Sequence, residues 1–193
     1  MEALAQHPIT LTNDDDLQRN RLTVFFRVLL VIPHLIWLCL WAILASIAML
    51  LAWFAALFTG RVPGGLHNFL AGYLRYSTHV YAYLLLLADP YPSFSGSASY
   101  PIDVHIAPPE PQSRVTVFFR LILAIPALAL TYVFRSVNQV IAILGWFYAL
   151  FTGRMNEGMR NLSAWLLRYE VQTYGYMGLL TSRYPSLAGV PSA

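Results

Sequence analysis

Long apolar stretches alternate with short polar ones along this chain, at 28–58, 66–87, 121–134 continued at 137–151, and 159–180. Stretches beyond about 18 apolar residues suggest bilayer spans. Each first stretch ends in Phe-Thr-Gly-Arg, at 58–61 and 151–154. Glycine there suits a helix C-cap, because it takes the left-handed conformation without a Cβ clash. The arginine beside it suits both the helix end and lipid headgroups. Short loops, VPGG and MNEG, then lead into second helices expected at 66–87 and 159–180. Pro90, Pro92 and Pro185 close them.

From Leu22 to Phe58 there are 37 residues, about 55 Å as one helix. A hydrocarbon core is only about 30 Å thick. Pro33 and Pro126 each remove a backbone donor and clash one turn back, so a break is expected at both. That places leading helices at 20–32 and 113–125 near the interface. Spanning helices follow at 34–58 and 127–151, with Arg27 and Arg120 snorkelling to headgroup level. Trp53, Phe54, Phe58, Trp146, Phe147, Tyr148 and Phe151 would form interfacial aromatic belts.

The two halves are copies. RLTVFFR at 21–27 recurs as RVTVFFR at 114–120, and the spacing of 93 holds without a gap. Pro33 meets Pro126, Leu74-Arg75-Tyr76 meets Leu167-Arg168-Tyr169, and Tyr91-Pro92-Ser93 meets Tyr184-Pro185-Ser186. The repeats are 1–96 and 97–193, and each opens with an alternating arm, HPITLT (7–12) or YPIDVH (100–105). Two spans per copy would put both copies in the same orientation, a parallel repeat. The expected fold is an all-α integral membrane protein with four transmembrane helices, Pro-kinked leading helices and short extended arms.

Composition agrees with a membrane class: 58% of residues are hydrophobic and 11% charged. A soluble domain runs at about 45–50% and about 25%. All twelve basic residues are arginine and form no run, so nucleic acid is not an expected partner. Arg19, Arg21, Arg27, Arg114, Arg120 and Arg183 share the side of the termini, against Arg61, Arg154 and Arg160 in the hairpin loops. The positive-inside rule then puts both termini of a multi-pass protein in the cytoplasm. Residues 1–17 lack the apolar core of a signal peptide. Cys39 has no second cysteine to pair with.

Polar residues inside apolar stretches cost about 2.5–3.5 kcal/mol each on insertion scales when charged, so they are the candidate site. Asn68, Arg75 and His79 share one helical face, matched by Asn161, Arg168 and Gln172 in the second copy. These stripes read either as a polar path or headgroup site, or as hydrogen bonds gluing the bundle. The second copy adds Arg135, Ser136, Asn138 and Gln139, and Glu170 is the one acidic residue in an expected span. Arg135 and Glu170 are compatible with a structural ion pair, a substrate or proton site, or a turn at 135–139 that splits the stretch. His34, His67 and His79 show no metal-ligand spacing, and no nucleophile elbow or phosphate loop is present. No cofactor, metal or catalytic residue is expected.

The order R-x-TVFFR-x5-P, then W-F-x-ALFTGR, then LRY and a closing Y-P-S resembles the bacterial membrane family catalogued as domain of unknown function 4389, in two tandem copies covering 8–96 and 100–189. Pro63-Gly64 and Asn156-Glu157 stand where that family's Tyr-Pro would follow FTGR. The resemblance implies a small membrane protein and carries no activity, cofactor or catalytic residue. The expectation is a non-catalytic scaffold or accessory subunit, partnered by the bilayer and by a membrane complex or its own copies. The alternative is a small oligomeric translocator of an ion, solute or lipid. A lipid-modifying enzyme is the third reading.

Overall fold

A computed structural model describes residues 7–96 and 100–188. The chain forms β1 (Ile9–Leu11), α1 (Arg21–Thr59), α2 (Gly64–Leu84), β2 (Val104–Ile106), α3 (Arg114–Phe118), α4 (Arg120–Thr152) and α5 (Glu157–Met177). The second helices thus begin and end two or three residues before the expected bounds of 66–87 and 159–180. The repeat boundary expected at 96–97 adjoins residues outside the described set.

Neither proline breaks its helix. α1 runs unbroken through Pro33 and α4 through Pro126. The Tyr91 hydroxyl donates to the Leu30 carbonyl at 3.2 Å, one turn before Pro33, where the proline disturbs the ladder. The one interruption falls at Phe119, earlier than expected, between α3 and α4. The separate leading helices at 20–32 and 113–125 are therefore replaced by one 39-residue helix in the first copy and a five-residue turn plus a 33-residue helix in the second.

Both FTGR turns cap as expected. Gly60 and Gly153 adopt φ of 74° and 73°, and their N–H groups return to the Ala56 and Ala149 carbonyls. Each turn also receives the other copy. Gln112 N–H donates to the Gly60 carbonyl at 2.8 Å, and Arg19 N–H to the Gly153 carbonyl at 2.9 Å.

That exchange fixes the relative direction of the two long helices. The Trp53 indole donates to the Val117 carbonyl at 3.0 Å, and the Trp146 indole to the Val24 carbonyl at 2.8 Å. The start of each first helix lies at the end of the other, so α1 and α4 run antiparallel. The two tryptophans tie helices together rather than standing in an aromatic belt. The copies are related by a pseudo-two-fold axis, visible in the strands. β1 and β2 pair antiparallel, and Leu11 stands opposite Val104, its own repeat equivalent. The arms are extended, as their alternation predicts.

The layers follow from the contacts. α1 packs on α2, α4 on α5, and α2 on α5. The ribbon lies on α2 and α5, where Ile9 and Ile102 are buried with Leu74, Ala82, Leu167 and Val171. α1 buries one stripe, including Val24, Val31, Leu38, Ala45, Ala52 and Ala56, and leaves its remaining apolar surface exposed. The order is ribbon, α2/α5, α1/α4. Two helices, α1 and α4, are long and apolar enough to cross a membrane. The more polar α2 and α5 do not meet that test.

Candidate polar sites and family membership

The most deeply buried charges are two that sequence reasoning placed at the headgroups. Arg27 and Arg120 are each 1% exposed. Arg27 Nη1 donates to the Tyr83 carbonyl at 2.7 Å and the Ala88 carbonyl at 3.0 Å, and Nη2 to Asp89 Oδ1 at 2.7 Å. Arg120 Nη1 donates to the Tyr176 carbonyl at 2.9 Å and the Thr181 carbonyl at 2.8 Å, and Nη2 to Gln112 Oε1 at 2.5 Å. Each guanidinium lies 4.3 Å from the ring centre of the tyrosine whose carbonyl it binds. These carbonyls end α2 and α5, so each arginine meets orphan acceptors at the negative end of a helix. Snorkelling is corrected to C-capping. The signal was present in the sequence: an arginine recurs in both TVFFR segments, always 56 residues before a tyrosine.

The next residue of the chain after each cap turns sharply. Leu86 and Leu179 both take φ of 61°, a left-handed conformation that a leucine rarely adopts. Arg19 Nε and Nη2 hold the Leu86 carbonyl at 3.0 and 2.8 Å, and Gln112 Nε2 holds that of Leu179 at 2.7 Å. Arg19 and Gln112 are repeat equivalents. Arg19 is neutralised by Asp15 at 2.7 Å. In the second copy Glu110 accepts from Ser182 N–H at 2.8 Å and Ser182 Oγ at 2.7 Å. Those bonds hold its carboxyl below the ordinary carboxylate value.

The expected stripes are only partly assembled. Asn68 and Asn161 are exposed at the helix starts and join no cluster. Arg75 donates to the Val104 carbonyl at 3.0 Å and stands 3.1 Å from Asp103. His79 Nε2 contacts the same carboxylate at 2.9 Å. In the second copy Arg168 donates to the Ala188 carbonyl, and Gln172 Nε2 to the Ile9 carbonyl at 3.1 Å. Ser186 N–H donates to Gln172 Oε1 at 3.0 Å. The stripes therefore hold the ribbon and the tail. Sequence reasoning turned them toward each other, because periodicity fixes a face and not what covers it. Beside the ribbon, burial raises the Tyr100 hydroxyl well above its ordinary value.

Arg135 and Glu170 do meet, at 3.8 Å. The shorter bond is from Arg135 Nη2 to the Tyr81 hydroxyl at 2.7 Å, with the guanidinium 5.0 Å from that ring's centre. α4 is continuous across 135–139, so the turn reading is overturned. Asn138 bonds with Ser163, and Gln139 is exposed. Thr131 and Thr173 are bonded at 3.1 Å. Beside the pair is a cavity of about 370 Å³ lined by Ala45, Met49, Tyr81, Glu170, Val171 and Tyr174. Among the described residues no group of three or more His, Cys, Asp or Glu could hold a metal ion.

The family described as Domain of unknown function (DUF4389) matches residues 21–96 and 114–188. The chain belongs to it. Each DUF4389 copy runs from the first helix through the second to the YPS segment and leaves out the strands. The ribbon that joins the copies thus lies outside the matched segments. No curated protein and no solved structure matches the chain.

Proposed function

We propose that the protein is a non-catalytic module resident in a membrane, a scaffold or accessory subunit of the bacterial cytoplasmic membrane. The carrying observation is that its two most deeply buried charges are engaged by its own backbone. Arg27 and Arg120 saturate helix-end carbonyls, and Arg75 holds the ribbon. The Nη1 groups of Arg27 and Arg120 each give both hydrogens to main-chain carbonyls, so those donors are not free for a substrate. The apolar exterior of α1 and α4 supports the membrane placement.

A translocator is the second reading, favoured by the cavity beside Glu170 and by Arg135, whose side chain is 40% exposed. Reconstitution separates the two. Proteoliposomes reporting proton, potassium and chloride flux should leak at the rate of empty vesicles if the module is a scaffold. Flux that disappears in Glu170→Gln would overturn the scaffold reading in favour of the translocator.

A further inference from the structure

The exposed apolar surface of α1 runs from one end of the helix to the other. Leu22 at its start is 67% exposed and Phe58 at its end 70%. Those residues lie about 54 Å apart along the axis. α4 with α3 repeats the pattern from Val115, 67% exposed, to Phe151, 75% exposed, interrupted by exposed Ser136 and Gln139. Between Arg21 and Thr59 the only ionisable side chains besides the thiol of Cys39 are Arg27 and His34, and both are buried. A hydrocarbon core of about 30 Å covers such a helix only at a tilt of roughly 55°, beyond the observed range of about 0–40°. An upright helix would leave nearly half of this apolar surface in water.

The ribbon gives a second, independent constraint. Arg75 and His79 hold it at mid-length of α2, and Gln172 holds it on α5. If α1 and α4 stood upright, the ribbon would lie at the depth of the bilayer centre. Arg75 and Gln172 cover the edge carbonyls of Val104 and Ile9, but Thr12 and His105 on the ribbon are exposed. Irregular polar backbone and exposed polar side chains are not tolerated against hydrocarbon. The linker poses the same problem. Tyr91 reaches Leu30 near the start of α1, whereas Gln112 reaches Gly60 past its end. The polar segment between them would have to cross the membrane.

We propose that α1 and α4 lie in the plane of the membrane, sunk side by side into one leaflet, with the pseudo-two-fold axis along the membrane normal. This rests on the membrane placement above and replaces transmembrane crossing with insertion from one side. The ribbon lies at one end of the axis, in water, and the apolar layer at the other, in lipid. A helix is about 10 Å across, so one layer fits within a leaflet. The ends carry the charge that headgroups need. Arg21 packs beside Gly153 and Arg114 beside Gly60, with Arg154 and Arg61 next in sequence. All four are exposed, so two arginines stand at each end of the apolar layer at phosphate level. Both repeats then face the membrane identically, although their long helices run in opposite directions.

The test uses the full chain with Cys39→Ser and single cysteines. An impermeant maleimide is applied to either face of cell membranes carrying Pro63→Cys, Asn156→Cys or His105→Cys. All three should react from the same face only. Separately, a bimane at Phe25→Cys, Ile43→Cys or Phe54→Cys is quenched in proteoliposomes by lipids labelled at known acyl depths. The three should report one similar depth. Positions 63 and 156 reacting from opposite faces, or position 43 lying deep between shallow 25 and 54, would overturn in-plane insertion while leaving membrane residence intact. Recovery of the chain in the soluble fraction after lysis would overturn both, and would assign the apolar layer to association between copies.

Discussion

Arg27 donates to the main-chain carbonyl of Tyr83 at 2.7 Å and lies 4.3 Å from the centre of that residue's ring. One side chain thereby ends α2, fixes the tyrosine and draws Asp89 in. Its repeat equivalent does the same at Tyr176, but takes Gln112 where the first copy takes Asp89. The duplicated contact is the cap, while the third acceptor is a carboxylate in one copy and a neutral amide in the other.

Arg27→Ala and Arg120→Ala should therefore each lower stability sharply. Either leaves two helix-end carbonyls unmatched, and a buried acceptor left without its donor costs about 1–3 kcal/mol. Thermal unfolding in mild detergent reads this. An unchanged Tm for both would mean the caps are redundant with the left-handed turns at Leu86 and Leu179.

Cross-linking tests the antiparallel arrangement directly. Val24 and Ala149 share one buried cluster, as do Ala56 and Val117. In a Cys39→Ser background, a short bifunctional thiol reagent should join cysteines placed at 24 and 149. It should not join cysteines at 24 and 117. Parallel α1 and α4 would give the reverse result.

Arg135 should couple more strongly to Tyr81 than to Glu170, because its hydrogen bond to the phenol is 2.7 Å and the carboxylate is 3.8 Å away. A double-mutant cycle of Arg135→Leu with Tyr81→Phe should give roughly 1 kcal/mol. The cycle with Glu170→Gln should give less. A larger Glu170 term would restore the ion pair as the principal contact and strengthen the translocator reading.

Acid should act partly through Glu110. Its carboxyl lies below the ordinary value, first through the Ser182 backbone bond and then through the Ser182 hydroxyl. A carboxyl whose folded value is depressed stabilises the fold above its unfolded value, and that contribution fades as pH falls through the folded value. The parent's stability should fall as pH drops below the ordinary 4.5. Glu110→Gln should be less stable near neutrality and show a shallower acid loss over the same range. Parallel acid profiles for parent and variant would remove the Ser182 clamp as a contributor.

Much of the architecture was legible in residue order. A spacing of 93 exposes a duplication whatever the fold, because repeated packing needs repeated residues. Alternation in HPITLT and YPIDVH gives extended arms, and glycine after an apolar run gives a left-handed cap. These are local matters, decided by period and by one residue's permitted φ. What surrounds a face is not local. Periodicity placed Arg75 and His79 on one side of α2, but only the tertiary structure covers that side with the other copy's strand. Proline signalled a break at position 33, yet packing against α2 keeps α1 whole. The relative direction of the copies was likewise invisible. It depends on which end of α1 receives the linker, a long-range contact between Gly60 and Gln112 that neither segment encodes alone.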